Sequence, residues 1–498
     1  MKLASIIKSI GDCVLTTTAG GILPPALGTS NFEVRGISAN SKAVRKGFIF
    51  AAIKGTHEDG SRFIQEAIRR GAQAILREPS GESLGSRVSK VAVIKVKDSR
   101  KALARLAAAF YGNPSLALKV VGVTGTNGKT TVTYLIEAIV KEARGVPAVI
   151  GTVNYRFRNR IITAKNTTPG SVELHSLFAD MVRAKVEYAI MEVSSHSLDQ
   201  HRTEAVHFHS AIFTNLTQDH LDYHKTLRRY FQAKSTLFQK LPPDALCVIN
   251  NDDTYGRKLK KMTRARIATY AIDTKADIMA KDIRLGPAGT QFSAVTSKGS
   301  VLISTSLIGR HNVYNILAAL AWAVQERIAL RTIKAAIGKF YLIPGRLEPV
   351  AGAKDFSVFV DYAHTDDALT NVIGALRQVF HHRIIVVFGC GGQRDKSKRP
   401  KMGNVVTELA DYAIITNDNP RCENQRTIIE DIKRGIQKSN YRVIPDRLAA
   451  IKKALSYARP GDVVLVAGKG HENCQILKDK IIHFDDREAI QKCLRSMN

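Results

Sequence analysis

The sequence holds no apolar run approaching the roughly 20 residues that a membrane-crossing helix needs, so no membrane insertion is expected. Its six cysteines (Cys13, Cys247, Cys390, Cys422, Cys474 and Cys493) are scattered and form no CxxC pair. That argues against a zinc knuckle or a disulfide framework and suits a reducing cytoplasm. There is no HExxH and no dense His/Cys cluster for a structural metal. The start, MKLASIIKSIGDCVL, is basic, but Lys8 and Asp12 interrupt its apolar stretch, which speaks against a secretory signal. Acidic residues are scarce: 44 Asp and Glu stand against 74 Lys and Arg, a formal charge of +30. Such an excess suits a polyanionic partner. Yet the clusters IRR (68–70), RFRNR (156–160), KLKKMTRAR (258–266) and KSKRPK (396–401) are dispersed and lack the interleaved aromatics of a single-strand binder. The balance favours solvated basic faces over a specific nucleic acid partner.

A chain of 498 residues exceeds one hydrophobic core. Apolar β-type runs alternate with helical patterns through most of it, which predicts an α/β protein with largely parallel sheets. Three domains are expected. Residues 1–115 form a smaller α/β domain ending in the helical stretch SRKALARLAAAFYG (99–112). Residues 116–341 form a central domain that opens with the strand KVVGVT (119–124). Residues 342–498 form a Rossmann-like domain that repeats strand and helix through FSVFVD, ALTNVIGALRQVF, RIIVVFG, YAIIT and DVVLVAG.

The strongest chemical signal is GVTGTNGKTT (122–131), set between an apolar strand and the helical TTVTYLIEAIV. Gly125 and Gly128 let backbone N–H groups curl around a phosphate, Lys129 adds a point charge and the helix start adds its dipole. Thr130 is placed to hold Mg²⁺ by its hydroxyl. A strict P-loop has a glycine where this chain has Val123. The pattern implies use of a nucleoside triphosphate. Two later apolar runs end in Glu192 and in the TNLTQDHLDYH segment, so Glu192 and His220 are candidates to converge on a second divalent ion. Near the end, Arg421 follows the turn Asp418-Asn419-Pro420, just past the strand-like YAIIT. A guanidinium fixed beyond the carboxyl end of a strand suits a carboxylate or a phosphate.

GTNGKTT, NTTP (166–169), EVSSHSLDQHR, TNLTQDHLDYH, GRHNVYNILAALA, PGRLE and VDYAHTDDAL together resemble the Mur ligases, the ATP-dependent amide-bond synthetases of peptidoglycan assembly. FGCGGQRDKSKRP, TNDNPR and VAGKGHE are similar to those members that add meso-diaminopimelate to UDP-N-acetylmuramoyl-L-alanyl-D-glutamate. The resemblance spans almost the whole chain and implies roles residue by residue. Gly125, Thr126, Asn127, Gly128, Lys129, Thr130 and Thr131 would cradle the ATP phosphates. Asn312 would meet the adenine, Arg346 the phosphates and Asp361 the ribose. Thr130, Glu192 and His220 would surround one or two Mg²⁺ ions, with Lys234 as a carbamate formed from CO₂. Ser41 and the loop Gly55 to Gly60 would approach the uridine diphosphate, while Asn166, Thr167, Thr168, Ser194, Gln200 and Arg202 would hold the muramoyl-dipeptide. Arg394, Asp418, Asn419, Pro420, Arg421, Gly468 and Glu472 would form the diaminopimelate pocket. A cytoplasmic monomer is expected.

The chain departs from the family pattern at Ser41, in NSK where Asp-Ser-Arg is usual, and at Gln393, Ser397 and Asp366. Cys390 has no neighbouring base and reads as a packed cysteine. A rival from another class is a catalytically silent protein of this fold associated with nucleic acid; intact Lys129, Glu192, His220 and Lys234 argue against it. The carbamate assignment has a direct check. Lys234→Ala should lose activity, and high formate or acetate should restore part of it; no rescue would count against a carbamate.

Overall fold

The computed structural model describes residues 1–11, 13–17, 32–55, 58–79 and 91–497. Its contacts gather the chain into two compact units, residues 1–122 with 146–210, and residues 123–145 with 211–498.

The first unit holds a five-stranded sheet of β1 (Val14–Thr17), β2 (Gly36–Ser38), β3 (Phe48–Ala51), β4 (Ala72–Arg77) and β5 (Ala92–Lys95), in the order β1-β5-β4-β3-β2. Only β1 runs antiparallel to its neighbour. Alternate side chains serve opposite faces: Ile49, Ala51, Ala74, Leu76 and Ile94 join one core, Phe50, Ala52 and Ile75 the other. Burial on both faces is why these strands read as continuous apolar runs. The Asp98 carboxylate caps helix Ser99–Phe110 by accepting from the N–H groups of Arg100 and Lys101. β6 (Lys119–Thr124) begins in the same unit, which also carries β7 (Pro147–Ile150), β8 (Asn154–Phe157), β9 (Arg160–Thr163) and β10 (Tyr188–Glu192), with β10 parallel to β7 and a β7-β8-β9 antiparallel meander at its edge.

In the second unit, β11 (Ser210–Phe213), β12 (Leu246–Asn250), β13 (Arg266–Ala271), β14 (Ile278–Gly286), β15 (Gly289–Thr296) and β16 (Gly299–Thr305) lie side by side in chain order. β12, β13 and β14 are parallel, and β14-β15-β16 is an antiparallel meander. A further sheet is built from β17 (Glu348–Pro349), β18 (Ser357–Asp361), β19 (Ile384–Phe388), β20 (Tyr412–Ile415), β21 (Tyr441–Val443) and β22 (Val463–Ala467), in the order β17-β18-β22-β19-β20-β21. All its pairings except β17 with β18 are parallel. Its strands again split their residues between two cores, Val360, Val387, Ile414 and Val466 on one face, Phe359, Val386, Ile415 and Leu465 on the other. Register brings Asp361 beside Ala467 and Phe388 beside Ile415. The loops after β18, β19, β20 and β22 therefore emerge together at the carboxyl edge, where such sheets bind ligands.

One buried group makes stability depend on pH. His175, in helix Ser171–Arg183, is fully buried and neither ring nitrogen has a hydrogen-bond partner. Burial lowers its imidazole to about 4. Above pH about 6.5 both folded and unfolded chains keep it neutral. As pH falls from there toward about 4, only the unfolded chain takes up the proton, so stability drops, by up to about 3 kcal/mol. His175→Leu should flatten that acid limb while leaving stability at pH 8 little changed. Denaturant unfolding across pH checks it, and an unaltered limb would overturn the assignment.

Candidate active site

β6 delivers the chain into the glycine loop, and helix Lys129–Glu142 follows at once. Val123, where a strict P-loop has glycine, lies wholly inside the strand, so a side chain there costs nothing. The loop itself demands glycine twice. Gly125 has φ +151° and a Cβ there would sit 1.9 Å from Thr214 Oγ1. Gly128 has φ +86°, with Asn315 Oδ1 at 2.2 Å from its would-be Cβ. The segment after β11 fastens the loop from outside. Thr126 N donates to the Asn215 carbonyl at 2.8 Å, Asn127 N to Asn215 Oδ1 at 2.9 Å, and Thr217 N to Thr126 Oγ1 at 3.0 Å.

Cations converge on this loop. Lys129 Nζ donates to the carbonyls of Gly125 (3.0 Å) and Thr126 (2.8 Å). Lys234, from helix Leu227–Gln239, reaches the Gly125 carbonyl at 2.8 Å and is 1% exposed. Burial first, and then the charge of Lys129, hold its amine well below the usual lysine range, against the opposing pull of Asp219. Arg346 Nη2 donates to Thr130 Oγ1 at 3.4 Å. His220 has a left-handed backbone, φ +54°, and its Nε2 lies 3.5 Å from the Asp219 carboxylate. Burial pushes that carboxylate up, but His220 and His364 outweigh it and keep it low.

The loop forms one wall of a cavity of about 540 Å³, which Asn312, Tyr314, Arg346, Asp361 and Asp367 also line. Asn312 is held by Ile308 and Asn315: its Nδ2 donates to the Ile308 carbonyl at 2.9 Å and its Oδ1 accepts from Asn315 at 3.0 Å. Asp361 accepts backbone N–H groups from Leu347 (2.6 Å) and Ala363 (2.7 Å); burial raises its carboxyl, and Arg346 works against that. Asp367 carries no sequence signal, yet its Oδ2 accepts from Asn127 Nδ2 at 2.7 Å and Thr217 Oγ1 at 2.9 Å. It stands in the first turn of helix Asp366–Arg377, capped by Thr365. This placement also accounts for Asp366, since an acidic residue suits the first helical position as well as proline does.

Beyond it, the four loops of the carboxyl edge form a second group. Arg421 has φ +52° and its Nη1 donates to the Gly392 carbonyl at 2.8 Å. Burial and then the like charge of Arg394 lower its guanidinium, while Asp418 and Glu472 counteract them. Asn419 Nδ2 donates to Glu472 Oε2 at 2.8 Å. A side chain at Gly468, with φ +113°, would meet Asp418 Oδ2 at 2.7 Å. The fully buried Arg447 ties the loops behind the pocket. It pairs with the fully buried Asp486 through two 2.7 Å bonds and donates to the carbonyls of Asn417 and Ala467. Of the departures, Ser397 has ordinary helical torsions and needs no glycine. Gln393 sits at φ +53° with its N–H on the Glu423 carboxylate. Cys390 is 3% exposed and burial pushes its thiol up to about 12, the state of an inert packed cysteine.

Within the first unit, Glu192 at the end of β10 accepts from Thr152 N and Thr152 Oγ1, both at 2.9 Å. Thr152 Oγ1 lies 3.1 Å from Thr167 Oγ1. Thr168 Oγ1 donates to the Glu192 carbonyl at 2.8 Å and accepts from Ser194 N at 3.0 Å. Arg202 grips Gln200 Oε1 at 2.7 Å and the Thr168 carbonyl at 2.9 Å. The structure thus brings Thr167, Thr168, Glu192, Ser194, Gln200 and Arg202 together, and adds Thr152, which sequence reasoning missed. Asn166 is exposed, its carbonyl taking the Tyr155 hydroxyl at 2.6 Å. Ser41 is buried and its hydroxyl donates to Glu66 at 2.7 Å. In the Gly55 to Gly60 loop, Thr56 and His57 lie outside the described residues. Among the described residues no three His, Cys, Asp or Glu side chains stand together as a metal site. A Mg²⁺ ion here would therefore draw most of its oxygens from phosphate and water, as that ion commonly does.

A glycine loop capped by a helix, ringed by cations and opening on a deep cavity defines a nucleotide-using α/β enzyme. Comparison narrows the class. Residues 33–111 match the family described as Mur ligase family, catalytic domain; residues 123–323 match the Mur ligase middle domain; and residues 345–470 match the Mur ligase, glutamate ligase domain. A UDP-N-acetylmuramoyl-L-alanyl-D-glutamate--2,6-diaminopimelate ligase of Clostridium botulinum (strain ATCC 19397 / Type A) is 43% identical over 93% of this chain and 96% of its own length. A ligase of the same description from Clostridium tetani (strain Massachusetts / E88) is 42% identical over the full length of both. A solved structure of a ligase so described is 31% identical, with a TM-score of 0.69 over 100% of this chain and 99% of that one. An ADP complex of a MurF ligase from Thermotoga maritima, 21% identical, shares the fold with a TM-score of 0.64 over 93% of this chain and 99% of that one. The chain belongs to the Mur ligase family.

Asp367→Ala would leave Asn127 Nδ2 and Thr217 Oγ1 without their acceptor in a half-buried place. We expect KM for ATP to rise about tenfold or more with the fold intact. Steady-state kinetics with ATP varied tests it, and an unchanged KM would show that the contact is dispensable.

Proposed function

We propose that the protein is an ATP-dependent ligase that joins meso-diaminopimelate to the D-glutamyl carboxylate of UDP-N-acetylmuramoyl-L-alanyl-D-glutamate in peptidoglycan precursor synthesis. The observation that carries this reading is the polarity of the pocket at the carboxyl edge. Arg394 and Arg421 bring positive charge to it, and the carboxylates of Asp418 and Glu472, close enough to act on Arg421, bring negative charge. The distal centre of meso-diaminopimelate carries one carboxylate and one ammonium, so it matches both charges at once. Lysine lacks that carboxylate and would leave the two guanidinium groups without an anion from the ligand.

The chemistry follows from the residues present. An oxygen of the D-glutamyl carboxylate attacks the γ-phosphorus of ATP and ADP departs, which turns a carboxylate into an acyl phosphate. The amine then attacks the acyl carbon, loses a proton, and inorganic phosphate leaves with the C–O electron pair. Lys129, the loop N–H groups and the helix start neutralise charge that builds on the transferring phosphoryl group. Arg346 faces the same oxygens beside Thr130, and Asn312 and Asp361 orient the nucleoside. Mg²⁺, when bound, supplies further charge neutralisation; Thr130, Glu192 and His220 are the residues assigned to hold it. The buried Lys234 amine, whose hold on its proton burial weakens, is a nucleophile for CO₂ when uncharged and would yield a carbamate and a proton, placing an anion beside the loop.

In the first unit, Thr167, Thr168, Ser194, Gln200 and Arg202 are assigned to the muramoyl-dipeptide, with Arg202 toward a carboxylate, and Ser41 with its loop to the uridine diphosphate. The three family matches support division into domains at residues 1–115, 116–341 and 342–498. No described helix is long and apolar enough to cross a membrane. We place the enzyme in the cytoplasm, where its nucleotide substrates are made, as a monomer.

Phosphate release from ATP with the UDP-muramoyl-dipeptide, comparing meso-diaminopimelate, L-lysine and no amino acid, tests the reading. Release should require meso-diaminopimelate, and Arg421→Ala should weaken its kcat/KM by about 10- to 100-fold, the worth of a charged hydrogen-bond pair. Equal turnover of L-lysine would sink the assignment of Arg421.

A further inference from the structure

Lys469 plays no part in the reaction as described, yet it touches two residues assigned to the amino-acid pocket, Asn419 and Glu472. It follows Gly468 in the turn after β22 and its side chain is fully buried. Nζ donates to the Cys474 carbonyl at 2.5 Å and to Asn419 Oδ1 at 3.4 Å, and it stands 3.6 Å from Glu472 Oε2. Burying an ammonium is costly unless its partners are fixed. Here two of those partners are the side chains assigned to the distal end of the substrate.

The Asn419 amide shows what the cation accomplishes. Its oxygen and nitrogen ends are nearly alike in shape but opposite in hydrogen bonding. The Ile476 N–H, at 2.9 Å, and Lys469 Nζ both address Oδ1. Each is a donor only, so each requires the oxygen end. Nδ2 is thereby turned toward Glu472 Oε2, which it meets at 2.8 Å. The other carboxylate oxygen, Oε1, lies 3.4 Å from the Tyr362 hydroxyl. Without the ammonium, one donor fewer selects the amide orientation, and Glu472 loses its nearest lysine while Asp418 still repels it.

We propose that Lys469 is a positioning residue for amino-acid selection: it orients the Asn419 amide and, through it, Glu472, so that this pair meets the distal ammonium of the incoming amino acid in one fixed geometry. The inference rests on the proposed function, since it takes meso-diaminopimelate as the nucleophile. The competing account is that Lys469 only closes its own turn through the Cys474 carbonyl.

The test uses the full-length enzyme and phosphate release, with Lys469→Met, Lys469→Gln, Glu472→Gln and the Lys469→Met/Glu472→Gln double variant. Lys469→Gln keeps a donor for Cys474, so it carries the comparison should the Met variant not fold. We expect KM for meso-diaminopimelate to rise about tenfold in either Lys469 variant while KM for ATP stays within about twofold. The double variant should lose less than the product of the two single losses, because both act through one contact. An unchanged KM for meso-diaminopimelate, a parallel rise in both KM values, or losses that simply multiply would overturn the proposal. Absence of diaminopimelate-dependent release in the unaltered enzyme would instead overturn the proposed function, before any variant is compared.

Discussion

The carboxyl edge of the last sheet depends on a single buried ion pair. Arg447 and Asp486 are both fully buried, and their two parallel bonds leave guanidinium N–H groups for the carbonyls of Asn417 and Ala467. Those carbonyls sit where the loops after β20 and β22 begin. A planar fork with five donors can serve a carboxylate and two carbonyls at once, which an ammonium cannot do with the same directionality. The loops that carry Arg421 and Glu472 are thus pinned from below, and their side chains can point up to a ligand without the backbone yielding. Parallel register does the rest, because it ends four strands at one level.

The phosphate end works by concentration of like charge. Lys129, Lys234 and Arg346 crowd around one glycine loop, and two of them bind loop atoms directly. Burial first, and then the charge of Lys129, hold the amine of the most buried of the three, Lys234, well below the usual lysine range. The same crowding of positive charge that suits a polyanion therefore also weakens the hold of Lys234 on its proton.

Helix Asp366–Arg377 and the loop before it touch both groups of residues. Its first turn contributes Asp367 to the phosphate loop, and the loop before it carries Tyr362, whose hydroxyl reaches Glu472 of the amino-acid pocket. Lys398 reaches back to the His364 carbonyl at 2.7 Å, joining the loop after β19 to the same turn.

Much of this was legible in one dimension. The strand-loop-helix context of GVTGTNGKTT, the alternation of strand and helix, and the place of Arg421 just past a buried strand all depend on residues within a few positions of one another. Local torsions and periodicity encode such features, so sequence alone determined the glycine loop, the α/β class and the place of Arg421 just past a strand. What it left open is of another kind. Asn127 and Asp367 are 240 residues apart, and Lys469 and Asn419 are separated by 50. Nothing local marks Asp367 as a partner of the loop, Lys469 as a buried cation, Thr152 as the donor to Glu192, or Lys234 as a lysine out of water. Those assignments belong to the tertiary structure alone, because burial and hydrogen-bond partnership are properties of what surrounds a side chain after the chain has closed on itself.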